Sequence, residues 1–256
     1  MIIEGNVAIV TGGAGGLGEA TVRHLAGLGL KVVVFDQWAE GAQKLSEELG
    51  AGTDWVAGDL NDDDAVNAAI AKAQALGTLV AIVNVAGGAT GGGRLVGKDK
   101  KLHDFGVFAT TMEINAHGTF NVSRWGAAAM SDNEPDEDGQ RGVIVNTASI
   151  AGLEGLSGQV AYSAAKGAIL GMTLPMARDL APMGVRVCAI APGTMGTPKM
   201  VNALPMMKED PSAGVAFPKR MGKPEEFALL VESIIRNSYL NGENIRLDGG
   251  LRFVAR

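Results

Sequence analysis

A doubly wound α/β fold, about seven parallel strands with helices on both faces of the sheet, is the architecture this sequence predicts. Short β-branched runs recur along the chain, longer stretches of helical periodicity separate them, and a glycine-rich segment marks the first strand-to-helix junction. The runs are VAIV (7–10), KVVVF (31–35), DWVA (54–57), LVAIV (79–83), GVIVN (142–146), VRVCAI (185–190) and NIRLD (244–248). Those at 7–10, 79–83 and 142–146 read as apolar strands covered on both faces. Between the runs, LGEATVRHLAGLG (17–29) and NDDDAVNAAIAKAQALG (61–77) carry helical periodicity. PEEFALLVESIIRN (224–237) does so too, and its opening Pro and two Glu suit a first helical turn. Strands alternating with helices imply right-handed crossovers and a parallel sheet. No linker or repeat divides the chain, so one domain over 1–256 is expected.

Composition narrows the function. With 46% hydrophobic residues in 256, a sizeable core can be buried, and a net charge of −6 argues against nucleic acid or an anionic membrane as partner. The acidic run SDNEPDEDG (131–139) reads as a solvated loop. A single cysteine, Cys188, excludes an internal disulfide and a cysteine-based metal site, and its strand-like setting reads as a small buried hydrophobe. No metal is expected. No apolar run approaches membrane-spanning length, and the opening MIIEGNVAIV lacks a basic leader, so a soluble, cytoplasmic protein is expected.

TGGAGGLG (11–18) follows the first strand and opens the first long helix. In that context Gly12 permits a tight turn, Gly16 lets a pyrophosphate approach the backbone, and Gly18 lets helix pack on strand. The helix N-terminus offers free N–H groups to phosphates. Asp36 closes the second strand and can accept both ribose hydroxyls of adenosine while repelling a 2′-phosphate. Gln37 and Trp38 follow it, with no nearby cation, so NAD is favoured over NADP.

The spacing TGxxxGxG resembles the short-chain dehydrogenase/reductase family, and the resemblance continues to about residue 250. Asp59-Leu60, NVAG (84–87, with Val85 where the family has Asn), Asn115, Ser149, YSAAK (162–166) and Pro192-Gly193-Thr194 all match in order. The resemblance implies a Rossmann fold and a catalytic tetrad of Asn115, Ser149, Tyr162 and Lys166. It also implies that Leu17, Asp59, Leu60, Asn84, Ala86, Gly87, Pro192, Gly193, Thr194 and Thr197 join Gly12, Gly16, Gly18, Asp36, Tyr162 and Lys166 around the cofactor. The stretches 133–152, 171–198 and 240–253 are similar to type II 3-hydroxyacyl-CoA dehydrogenases, which implies an acyl-CoA substrate and a homotetramer. The alternatives are an NAD-dependent hydroxysteroid or other secondary-alcohol dehydrogenase, a 3-oxoacyl-carrier-protein reductase, and a silent nucleotide-binding subunit.

Tyr162 and Lys166, four apart, share a helix face. A free phenol titrates near ~10, and a neighbouring ammonium together with the positive charge of an oxidised nicotinamide is expected to favour phenolate, letting Tyr162 exchange a proton with a substrate oxygen. Ser149, at the end of the fifth strand, is expected to hold that oxygen. Asn115 is implied to hold a water near Lys166. His117 reads as structural, and His24 and His103 suggest no metal site. Met195, Leu204, Met206 and Met207 fall in a substrate lid expected near 195–220, where substrate contact and core packing both remain open. Arg94, Lys98, Lys100 and Lys101 form a basic loop that either steers a CoA phosphate or is simply exposed.

Overall fold

The computed structural model describes residues 3–207 and 210–253. Seven parallel strands run in the order β3-β2-β1-β4-β5-β6-β7: β1 (Val7–Thr11), β2 (Lys31–Asp36), β3 (Thr53–Ala57), β4 (Leu79–Asn84), β5 (Gly142–Thr147), β6 (Val185–Pro192) and β7 (Asn244–Leu247). Each of the seven apolar runs in the sequence is a strand. The inner strands β1, β4, β5 and β6 are buried at every position, whereas the edge strands β3 and β7 are half-buried throughout save for Ala57, which is exposed. That is the distribution expected where helices cover both faces of a parallel sheet.

One face packs α1 (Gly16–Gly27), α2 (Ala39–Leu49) and α8 (Pro224–Arg236) through Val22, Leu25, Leu45, Phe227 and Val231. The other packs α3 (Asp63–Leu76), α5 (Gly118–Ser131) and α6 (Val160–Leu180) through Val66, Ile70, Val122, Met130 and Ala177. The order reverses between β1 and β4, and such a switch point opens a crevice at the C-terminal strand edge. No helix among the described residues is long and apolar enough to cross a membrane.

Two features depart from the sequence reading. A short helix, α4 (Phe105–Met112), runs into α5 through a π-helical turn at Glu113–His117, which widens the helix around Asn115. Ser149 lies two residues beyond β5: after Ala148 donates to the Ile190 carbonyl at 2.8 Å, the chain turns into a 3-10 segment, Ile150–Gly152, that Ser149 caps. The acidic segment is the exposed loop expected, its turn closed by Asp136, which accepts from the Asp138 and Gln140 amides and from the Gln140 side chain at 2.9–3.1 Å.

The expected lid holds α7 (Pro198–Ala203) and a 3-10 turn, Leu204–Met206. Its ends are tied together, Gly196 donating to the Gly222 carbonyl at 2.8 Å and Gly222 to that of Thr194 at 3.0 Å. Met195 is buried, Leu204 half-buried, and Met206 and Met207 are exposed.

Candidate active site

The glycine segment folds as a cradle because side chains have no room there. Gly12 has φ +62°, and a Cβ on it would lie 2.7 Å from the Ala86 Cα across the switch point. A Cβ on Gly18 would overlap the Gly12 carbonyl. Gly16 is constrained from a direction the sequence did not suggest: its Cβ would sit 2.7 Å from Thr197 Cβ and 3.0 Å from Pro198 Cδ, so this glycine also lets the start of α7 approach.

A cavity of about 450 Å³ opens over the cradle, lined by Gly12, Gly16, Leu17, Gly18, Asp36, Asp59, Leu60, Ala86, Gly87 and Thr197, together with Val85, Ile114 and Lys199. Asp36 Oδ2 accepts from the Ala14 amide at 3.0 Å and Oδ1 from the Trp38 amide at 2.9 Å, which aims the carboxylate across the cavity floor. Asp59 is held by both nitrogens of Asn61, at 2.9 and 3.1 Å.

Asn84 stands apart from this lining. Its amide is buried beneath the crevice, donating to Ser123 Oγ at 3.1 Å and Asn146 Oδ1 at 2.9 Å, while Thr11 Oγ1 accepts from the Val85 and Ala86 amides at 3.1 and 3.3 Å. These bonds set the loop that carries Ala86 and Gly87. Pro192, Gly193 and Thr194 lead from β6 into the lid, Gly193 donating to the Leu247 carbonyl at 2.9 Å. Thr194 lines a separate cavity of about 200 Å³ beside the Arg220–Glu226 pair.

Beyond Gly87 the four expected catalytic side chains converge. The Ser149 side chain interacts with the Tyr162 phenol, holding its titration down against burial, and its hydroxyl accepts from the Ala151 amide at 3.1 Å. Lys166 Nζ lies 5.9 Å from the centre of the Tyr162 ring and donates to the Thr147 carbonyl at 2.7 Å. A Cβ on Gly87 would lie 3.5 Å from Lys166 Nζ and overlap Asn115 Oδ1, so this glycine separates the two. Asn115 is fully buried, accepting from the Gly88 amide at 3.0 Å and donating to the Gly88 and Thr111 carbonyls at 2.9 and 2.8 Å.

The electrostatics of the chain without cofactor are dominated by burial. Burial pushes the Tyr162 phenol up, opposed only by its interaction with Ser149, and burial pulls the Lys166 ammonium down to about 7. Desolvation disfavours both charged forms, and at this separation it outweighs the attraction expected between ammonium and phenolate. Burial thus disfavours the charged form of each group and brings the Lys166 ammonium into the range where it exchanges its proton near neutral pH.

Several contributors were invisible in the sequence. Glu154, in the loop after Ser149, binds Arg246 of β7 at 2.6 Å, and Arg246 also reaches Asp248 at 2.7 Å and the Leu251 carbonyl at 2.9 Å. His24 pairs with Glu232 at 2.7 Å, joining α1 to α8, while His117 is exposed on the π turn rather than packed inside. The basic loop forms a small hairpin, Val96 bridging Leu102.

The short chain dehydrogenase family profile matches residues 6–208. Bovine (Bos taurus) 3-hydroxyacyl-CoA dehydrogenase type-2 is 45% identical over 251 residues, 98% of this chain and 96% of that protein. The crystal structure of 3-hydroxyacyl-CoA dehydrogenase type-2 from Mycobacterium avium superposes with a TM-score of 0.94 at 47% identity, covering 98% of both chains. A 3-ketoacyl-(acyl-carrier-protein) reductase from Brucella melitensis, complexed with NADH, gives 0.83 at 26% identity over 97% of this chain and 99% of that one. With its fold, cradle and converging side chains in place, the chain belongs to the short-chain dehydrogenase/reductase family and is an oxidoreductase acting on CH–OH groups.

Proposed function

We propose that the protein is an NAD-dependent dehydrogenase that interconverts 3-hydroxyacyl-CoA and 3-oxoacyl-CoA. The observation that carries the chemistry is the meeting of Ser149, Tyr162 and Lys166, with Lys166 just behind Gly87 of the glycine-lined cavity. The lining fits a dinucleotide: glycines that admit no Cβ open α1 towards the diphosphate, and Asp36 at the end of β2 suits an unphosphorylated ribose. When bound, NAD takes a hydride from the substrate carbon, and NADH returns it.

The chain's own residues manage the proton. Ser149 holds the substrate oxygen beside Tyr162, whose phenolate accepts the hydroxyl proton during oxidation and whose phenol returns it during reduction. Lys166, buried and titrating near 7, passes protons to and from the phenol. Asn115 fixes Gly88 and with it the wall between Lys166 and the cavity. The acyl-CoA reading draws support from the relatives at 45–47% identity and from the basic hairpin, whose Lys98, Lys100 and Lys101 suit a phosphate-bearing substrate. The exposed apolar side chains of the lid, Met206 and Phe217, favour a second reading, a hydroxysteroid or another apolar secondary alcohol. We further propose one cofactor-binding domain with a lid at 195–220, acting as a cytoplasmic homotetramer. Phe120 and Leu174, exposed on α5 and α6, support subunit contacts, and a lone free thiol suits a reducing compartment.

The test is NADH formation or consumption with 3-hydroxybutyryl-CoA, acetoacetyl-CoA, a 17β-hydroxysteroid and simple secondary alcohols. Turnover of the CoA esters that vanishes when the CoA moiety is removed is the expected result. Turnover of steroids or alcohols alone moves the substrate to the second reading. Asp36→Ala is expected to narrow the preference for NAD over NADP by about tenfold or more; an unchanged ratio removes Asp36 from ribose recognition.

A further inference from the structure

We propose that Lys199 is a cofactor-binding residue of the lid, its ammonium pairing with the diphosphate of the bound dinucleotide; this rests on the NAD reading above. The cavity lining carries two carboxylates, Asp36 and Asp59, and a single cation, Lys199. Both carboxylates already accept hydrogen bonds from their own loops. Lys199 is exposed, and its ammonium has no hydrogen-bond or ion-pair partner among the described residues. Lys166 cannot take its place, being buried beyond Gly87 and bound to the Thr147 carbonyl.

The backbone aims Lys199 at the glycine segment. Thr197 caps α7 by accepting from the Met200 amide at 3.3 Å, which fixes Lys199 in the first turn. Thr197 and Pro198 pack on Gly16, where α1 begins and its unpaired N–H groups face the cavity. A diphosphate lying over that helix start has backbone donors on one side and Lys199 on the other. A dinucleotide brings two negative charges into a lining whose fixed side-chain charge is otherwise negative, so a cation supplied by the lid both offsets that repulsion and draws α7 onto the ligand. Cofactor binding and lid position are thereby linked through one side chain.

The experiment is a fluorescence titration of NADH into the full chain and into its Lys199→Met and Lys199→Arg variants, at low and high salt, with adenosine as a competitor that lacks phosphate. Lys199→Met is expected to raise the NADH Kd about three- to tenfold at low salt, with a shallower salt dependence, while adenosine binds as before. Lys199→Arg should stay within about twofold of the parent. An NADH Kd unchanged in Lys199→Met overturns the inference, and a raised KM for an acyl-CoA alone would reassign Lys199 to the substrate. Failure of the parent protein to bind NADH would instead remove the NAD reading on which it rests.

Discussion

Two buried cations sit at opposite ends of the parallel sheet, and the protein treats them in opposite ways. Arg186, the second residue of β6, donates to the Gln140 side chain and to the carbonyls of Ile234, Ile235 and Leu240, the last three at 2.7–3.0 Å. Ile234 and Ile235 lie in the last turn of α8, where carbonyls lack helical partners and the helix dipole favours a positive charge. Lys166, at the C-terminal edge, has three N–H donors and one hydrogen-bond acceptor among the described residues, the Thr147 carbonyl. Burial pulls both groups down, yet only Lys166 is brought to about 7, because a guanidinium holds its proton far more tightly than an ammonium. Saturated with acceptors, Arg186 fastens helix to sheet; Lys166, starved of them, is the group proposed above to exchange a proton. On that proposal, structure and chemistry are segregated to the two ends of the same sheet.

Substituting methionine at each position tests that division. Lys166→Met should lower turnover by about 10³-fold or more, as loss of a proton-transfer group does, and should leave the thermal midpoint equal to or above that of the parent, because an under-bonded buried charge is removed. Tyr162→Phe should lose activity comparably while still binding NADH. A Lys166→Met protein that keeps its turnover, or melts well below the parent, would place Lys166 with Arg186 as a structural cation.

Arg186→Met should show the reverse. Three backbone carbonyls and Gln140 lose their donor in a buried site, at a cost of about 3 kcal/mol, or roughly 6–12 °C in thermal midpoint for a chain of this size. Turnover per folded molecule should stay within about twofold of the parent, measured at a temperature where both are folded. A large loss of turnover at full stability would show that the far end of β6 reaches the active site.

How much of this was legible in the sequence follows from how far each feature lies from its partners. The strands were legible because Val, Ile and Ala runs between both helix layers carry no polar interruption. The cradle was legible because Gly12, Gly16 and Gly18 lie within seven residues of one another, and Tyr162 with Lys166 because helix geometry alone brings them together. Arg186 was hidden, since its acceptors are backbone carbonyls some fifty residues away, which have no residue signature. The Arg246–Glu154 pair bridges 92 positions, and the π turn around Asn115 leaves a hydrophobic periodicity that still reads as one helix. Gly16 shows the subtler limit: its need for an absent side chain was legible, but one of the two surfaces that demand it, the start of α7 at Thr197 and Pro198, was not. The burial of Tyr162 and Lys166 was hidden for a related reason. Proximity follows from spacing, whereas desolvation depends on how completely α4, the π turn, β5, β6 and the 3-10 segment after Ser149 pack around α6.

That desolvation has a consequence in the pH dependence of stability. An unfolded lysine keeps its proton to about 10.4, whereas folded Lys166 releases it near 7. Between those values the unfolded chain holds more protons, so stability should rise with pH by up to about 1.4 kcal/mol per unit, starting near 7. Arg186 keeps its proton in both states across that range and contributes no such slope. Chemical unfolding of the cofactor-free protein at pH 6.5, 7.5 and 8.5 measures the effect, with Lys166→Met as the reference, since everything but this group titrates in both. The parent should gain about 1–2 kcal/mol relative to Lys166→Met across the series. Parallel curves would mean that folded Lys166 keeps its proton as firmly as a solvated lysine, and the proton-exchanging end of the sheet would then have to be sought in Tyr162 alone.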